Sequence, residues 1–225
     1  MFFRKLAVLV FVFACAAPFA LAQDQNSVLQ KFEVTPFGGY KFGGKIDVSG
    51  GVPPAENLLI KSNYDYGTMV DYSLWQNFNA EFMWVRQPST LSLQSFSAIP
   101  PTTTRLTDTS LNTYTFGIDY DFRGDSKVKP FVAGGLGWTH FSNVNNPKPG
   151  GVYLGFYNRF AYNIGGGVKY YFMTHAGFRF DFRYLASRTT PGQSIQCDPF
   201  GNCFTVSSHN HANQGEMNFG LILKF

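Results

Sequence analysis

FAYNIGGGVKYYFMTHAGFRFDFRYLA, residues 160–186, alternates too strictly for anything but paired β-strands. In its second half Phe178, Phe180, Phe182 and Tyr184 fall on one face of an extended chain, while Arg179, Asp181 and Arg183 fall on the other. A helix would scatter these residues around its circumference; a period of two sorts them completely. The first half repeats the pattern, with Phe160, Tyr162, Ile164, Val168, Tyr170 and Phe172 set against Asn163, Lys169 and small glycines. Met173, Thr174 and His175 separate the halves, so the stretch predicts a tight hairpin with one aromatic and one ionic face.

Six further segments share this alternation. Phe32, Val34, Tyr40 and Phe42 oppose Glu33, Thr35 and Lys41, with Pro36 predicting a bulge. Tyr64, Tyr66, Val70, Tyr72 and Leu74 oppose Asp65, Met69 and Asp71; Phe78, Ala80, Phe82 and Trp84 oppose Asn79, Glu81 and Met83. Tyr114, Phe116, Ile118, Tyr120 and Phe122 oppose Thr113, Thr115, Asp119 and Asp121. A glycine-rich fifth segment is expected to turn Val132, Leu136 and Trp138 outward. The last sets Met217, Phe219, Leu221, Leu223 and Phe225 against Glu216, Asn218 and Lys224. That makes eight strands. The links around Gln76, at 123–129 and at 173–176 are short, whereas 43–63, 87–111, 142–158 and 187–215 are long.

The N-terminus reads as a secretory signal: Arg4 and Lys5, an apolar run, Pro18 and a small-residue end at Ala20 and Ala22, with cleavage before Gln23. The expected division is a signal peptide at 1–22 and one barrel domain at 23–225. No later apolar run is long enough for a spanning helix. A membrane protein built from this chain must therefore close a sheet, because only helices and closed barrels satisfy every backbone polar group in lipid. Aromatic residues make up 18% of the chain and charged residues 14%, against roughly 25% charged in ordinary soluble domains. Loss of Arg4 and Lys5 takes the 18 basic residues down by two against 14 acids, a net charge of about +2 with no basic patch. Nucleic acid is not an expected partner. Cys197 and Cys203 bracket a short segment of an exported chain and are read as a disulfide. With His209 and His211 they match no standard zinc spacing, so no metal is expected. The glycines show no GxGxxG spacing, and no cofactor is expected.

Eight even strands, an export signal, short turns alternating with long loops, and an NFGLILKF strand ending on Phe225 together resemble the small outer-membrane barrels typified by the transmembrane domain of outer membrane protein A. The resemblance implies an all-β, eight-stranded antiparallel up-and-down transmembrane β-barrel in the outer membrane, surrounded by lipids and lipopolysaccharide. It implies short turns in the periplasm and four long loops outside that meet an external ligand. It also makes Phe225 the signal read by the barrel-assembly machinery. The peptidoglycan-binding domain of full-length members is not expected after Phe225, so cell-wall anchoring does not carry over.

If the apolar parity faces lipid, the lumen receives Glu33, Asp65, Asp71, Glu81, Asp119, Asp121, Asp181 and Glu216 together with Lys41, Arg159, Lys169, Arg179, Arg183 and Lys224. Such charges must pair, and eight strands leave room only for their own side chains, so a wide pore is not expected. Two other readings stay open. His140 and Ser142, in His140-Phe141-Ser142-Asn143, resemble the His-x-Ser-Asn stretch of outer-membrane lipid A deacylases, which implies acyl hydrolysis with His140 and Ser142 in a triad; no acid follows at a matching spacing. A soluble lipocalin-like carrier would instead turn the aromatics inward. Arg123-Gly124-Asp125 spells an integrin-recognition tripeptide, but turn chemistry accounts for it.

Overall fold

Alternating side chains force a sheet whose two faces differ, and the chain closes that sheet on itself. The computed structural model describes residues 31–48, 56–75, 77–95, 102–122, 126–142, 158–188, 194–197, 203–206 and 211–225. The strands are β1 (Phe32–Gly43), β2 (Lys45–Val48), β3 (Glu56–Ile60), β4 (Asn63–Ser73), β5 (Phe78–Ser95), β6 (Thr102–Asp121), β7 (Val128–Ser142), β8 (Asn158–Tyr171), β9 (Ala176–Arg188), β10 (Ser194–Cys197), β11 (Cys203–Val206) and β12 (His211–Lys224). Strands β1, β4, β5, β6, β7, β8, β9 and β12 pair antiparallel with their neighbours, and β1 pairs with both β4 and β12. The ring is therefore closed, an eight-stranded up-and-down barrel with no free edge. No helix of the described residues is long and apolar enough to cross a membrane, which says nothing of a β-barrel.

The two parities separate as their chemistry requires. Phe180 and Phe219, cross-strand partners on β9 and β12, are 47% and 58% exposed, whereas Arg179, Asp181 and Arg183 are buried. Val132, Leu136 and Trp138 face outward. A carrier that encloses its aromatics is excluded by this arrangement. The outer face carries aromatic contacts at both ends: Trp75 packs edge-on against Phe78 beside the short turns, and Tyr114 stacks on Trp138 with centroids 5.6 Å apart towards the long loops. Rings that bridge apolar and wet surroundings suit the two boundaries of a bilayer.

Three expectations about the connections are corrected. The segment 87–111 is largely not a loop: β5 and β6 stay paired from Phe78 with Tyr120 up to Ser95 with Thr102, with a register shift between Leu91 and Ser92. The segment 43–63 contains β2 and β3, and β3 pairs with the far end of β5. The segment 187–215 contains the β10–β11 hairpin and the start of β12. Polar, Thr- and Ser-rich strands lack the aromatic alternation that marks the barrel strands, so they read as loop although backbone pairing holds them. Pro36 makes no bulge either. The β1–β12 register is the same at Val34–Leu223 and at Phe37–Gly220, and pairing is merely interrupted between them.

Candidate functional site

The lumen has three tiers, set by which inward side chains each strand contributes. Nearest the short turns, Glu33 on β1 accepts a hydrogen bond from Tyr171 Oη on β8 at 2.8 Å and lies 3.6 Å from Lys224 Nζ on β12. Asn79 Nδ2 donates to Asp119 Oδ1 at 2.5 Å.

The next tier is ionic and buried. Lys169 Nζ lies 2.6 Å from Asp119 Oδ2 and 3.4 Å from Asp71 Oδ2. Arg179 reaches Asp71 Oδ2 at 2.7 Å, Glu81 Oε2 at 2.6 Å and Asp181 Oδ2 at 3.1 Å, with its guanidinium 4.5 Å from the centre of the Phe131 ring. Arg183 grips both oxygens of Glu81, at 2.6 Å from Nη1 and 2.8 Å from Nη2. A fork of five fixed donors is what lets one guanidinium hold two carboxylates at once. Strand β8 gives way for them: a Cβ on Gly165 would come within 2.8 Å of Arg183 Cγ, and one on Gly167 within 2.9 Å of Asp181 Cβ. Ligand atoms of Asp71, Glu81 and Asp119 gather within 4.8 Å of one another, a spacing that also suits a metal. Here Lys169 and Arg179 already supply the positive charge.

Beyond the ionic tier, Phe37, Met69, Met83 and Val85 pack as an apolar plug. Around and above it, neutral polar groups pair across the lumen: Thr113 with Thr139 at 2.9 Å, Thr139 with Ser187 at 3.0 Å, and Gln214 with Gln87 at 3.1 Å. Lys41 Nζ lies 3.3 Å from Glu216 Oε2. Arg159 is half-buried on β8 at the long-loop end, outside these tiers. Chemically the described part of the lumen is filled by its own paired charged and polar side chains and a small apolar cluster. The plug was only partly readable in advance, since Met69 and Met83 share the polar parity while Phe37 lies just past Pro36, where a bulge was expected and the register in fact continues unchanged.

His140 and Ser142 share the outward face of β7, one step above Trp138. His140 Nδ1 is 2.9 Å from Asn158 Oδ1, and Ser142 Oγ accepts from Asn112 Nδ2 at 3.4 Å. Asn143 lies outside the described residues, as do residues 1–30 with the export signal, the tripeptide 123–125 and His209. Cys197 and Cys203 stand directly opposite each other in the β10–β11 backbone register. The backbone N–H of Phe225 donates to Phe32 O at 2.9 Å, tying the C-terminus to the start of β1.

No protein-family model matches the chain, and none of the curated proteins does. Among solved structures it is similar to the outer membrane protein OprG from Pseudomonas aeruginosa, at 14% identity and a TM-score of 0.61 over 90% of this chain and 99% of that one. It is also similar to Neisserial surface protein A, at 16% identity and a TM-score of 0.52 over 86% and 97% of the two chains. The outer membrane protease OmpT from Escherichia coli matches at 9% identity and a TM-score of 0.53 over 90% and 99%. The shared feature is the fold, which serves an enzyme as well as proteins not named for any reaction.

Proposed function

Because this chain has the fold of the small outer-membrane β-barrels, we propose that it is a plugged barrel whose work is done outside the bilayer, by strands that outgrow it. The observation that carries this reading is the length of β5 and β6. Their outward faces are apolar up to Trp84 and Tyr114 and polar from Arg86 and Asn112, yet pairing continues to Ser95 and Thr102. Nine more residues of β5 at about 3.3 Å each make a ribbon of about 30 Å beyond the apolar belt. Strand β3 pairs with its far end and β2 with β3, so the exposed unit is a small sheet rather than a floppy loop. Its sequence is rich in hydroxyls, and Arg105 pairs with Asp108 in full exposure. Short turns face the periplasm and this sheet faces outward, where it meets lipopolysaccharide or an external ligand. Ionic filling of the lumen argues for such a structural and surface role over conduction.

Excising residues 92–106 is expected to leave the heat-modifiable folded band in the outer membrane while abolishing retention of expressing cells on immobilised lipopolysaccharide or host glycoprotein. Undiminished retention of the shortened form would remove the surface role. On intact cells, added protease should cut within 92–106; cutting only after permeabilisation would reverse the assigned orientation.

Cys197 and Cys203 are proposed to form a disulfide clipping the β10–β11 hairpin. Directly opposed residues of an antiparallel pair have Cα atoms about 4.5–5.5 Å apart, within the span a disulfide bridges. Maleimide-polyethylene glycol should shift the mature protein on a gel only after reduction; labelling without reductant would show free thiols.

A further inference from the structure

We propose that the long-loop half of the lumen binds a hard metal cation among Asp65, Asn218 and the Met217 carbonyl, beside Gly39. The register of β1 makes the site: Gly39 pairs with Asp65 of β4 on one side and Asn218 of β12 on the other, and Lys41 pairs with Glu216 two residues along. A methyl placed on Gly39 would overlap Asn218 Oδ1, the Met217 carbonyl and, at 2.5 Å, Asp65 Oδ1. Oxygens from three residues thus converge over a residue with no side chain.

Asp65 and Asn218 are each only 3% exposed, yet neither Asp65 oxygen nor Asn218 Oδ1 has a hydrogen-bond partner among the described residues. A buried acceptor left unmatched costs more than a hydrogen bond is worth, and a buried carboxylate costs most. Asn218 cannot relieve this by turning its amide round. Its Nδ2 already donates to Glu216 Oε1 at 2.7 Å and to Asp181 Oδ1 at 3.0 Å, and a flip would aim an oxygen at two carboxylates. The amide is therefore locked with its oxygen over Gly39.

Charge points the same way. Asp65 and Glu216 have Lys41 between them, and Lys41 Nζ makes no hydrogen bond of its own, standing 3.3 Å from Glu216 Oε2. One negative charge is left over. In the ionic tier Asp71, Glu81, Asp119 and Asp181 each lie within 3.1 Å of an ammonium or guanidinium nitrogen, whereas Asp65 makes no such ion pair among the described residues and shares the charge of Lys41 with Glu216. The donors are oxygens only, which select hard cations such as sodium or calcium over zinc or copper.

The test uses the full chain purified in non-ionic detergent, free of lipopolysaccharide, with the conversion of the folded gel band followed against temperature. In choline chloride with chelator the midpoint gives the baseline; sodium chloride or calcium chloride is then added. The expected result is a saturable rise of several degrees with one of the two, and binding of about one ion per chain in equilibrium dialysis. The salt that gives the rise identifies the ion. Asp65→Asn is expected to fold and to lose both the rise and the bound ion. An unchanged midpoint in both salts overturns the proposal, as does an Asp65→Asn protein that responds like the parent. Asp65→Asn stability above the parent's in every salt also overturns it, since Asp65 would then carry a proton in place of a metal. Should Asp65→Asn give no folded band, dialysis of the parent chain decides: one ion supports the site, none overturns it.

Discussion

Arg179→Met should be the most damaging single change in the lumen, lowering stability by about 3–5 kcal/mol, the usual cost of breaking a buried ion network from one side. Arg179 touches Asp71, Glu81 and Asp181 and lies over Phe131. Removing it takes one cationic partner from each of three buried carboxylates. Glu81 retains Arg183 and Asp71 retains Lys169, so the barrel is weakened without losing every pairing. The measurement is the urea midpoint of the folded, heat-modifiable form in detergent. Arg179→Lys should fall between the two, because an ammonium restores the charge but not the fork that reaches several acids at once. A parent-like midpoint for Arg179→Met would show that these ion pairs do not hold the barrel.

Phe180→Arg should have an effect almost as large but only in a membrane. Phe180 sits midway along the outward face of β9, opposite Phe219 on β12. An arginine on a lipid face near the bilayer midplane costs about 2–4 kcal/mol, less towards the interfaces. Folding yield into lipid vesicles should drop accordingly, while Arg86→Ala, above the apolar belt, should fold as the parent does. If Phe180→Arg folded in lipid as readily as the parent, the outward aromatic face would not be a lipid face.

Much of this was legible because a strand has a period of two. Once Phe178, Phe180 and Phe182 fall on one parity and Arg179, Asp181 and Arg183 on the other, the only open question is which face encloses. The scarcity of charge favours an outward aromatic face, and the exposure of Phe180 and Phe219 against the burial of Arg179, Asp181 and Arg183 decides it. Eight such segments and alternating link lengths then dictate an up-and-down ring. The β5–β6 ribbon was illegible for a converse reason. In water a strand exposed on both faces needs no apolar parity, so TTTRLTDT offers no periodic signal although all its residues but Leu106 pair with β5.

The sequence by itself determined which residues enter the lumen, because parity is a local property of an extended chain. Tertiary structure alone decided who meets whom inside. Arg183 on β9 clasps Glu81 across the barrel from β5, and Asp65 converges with Asn218 above Gly39. Those pairings depend on the stagger between strands far apart in sequence, and stagger is set by closing the ring, when β1 pairs with β12 and every register becomes fixed at once.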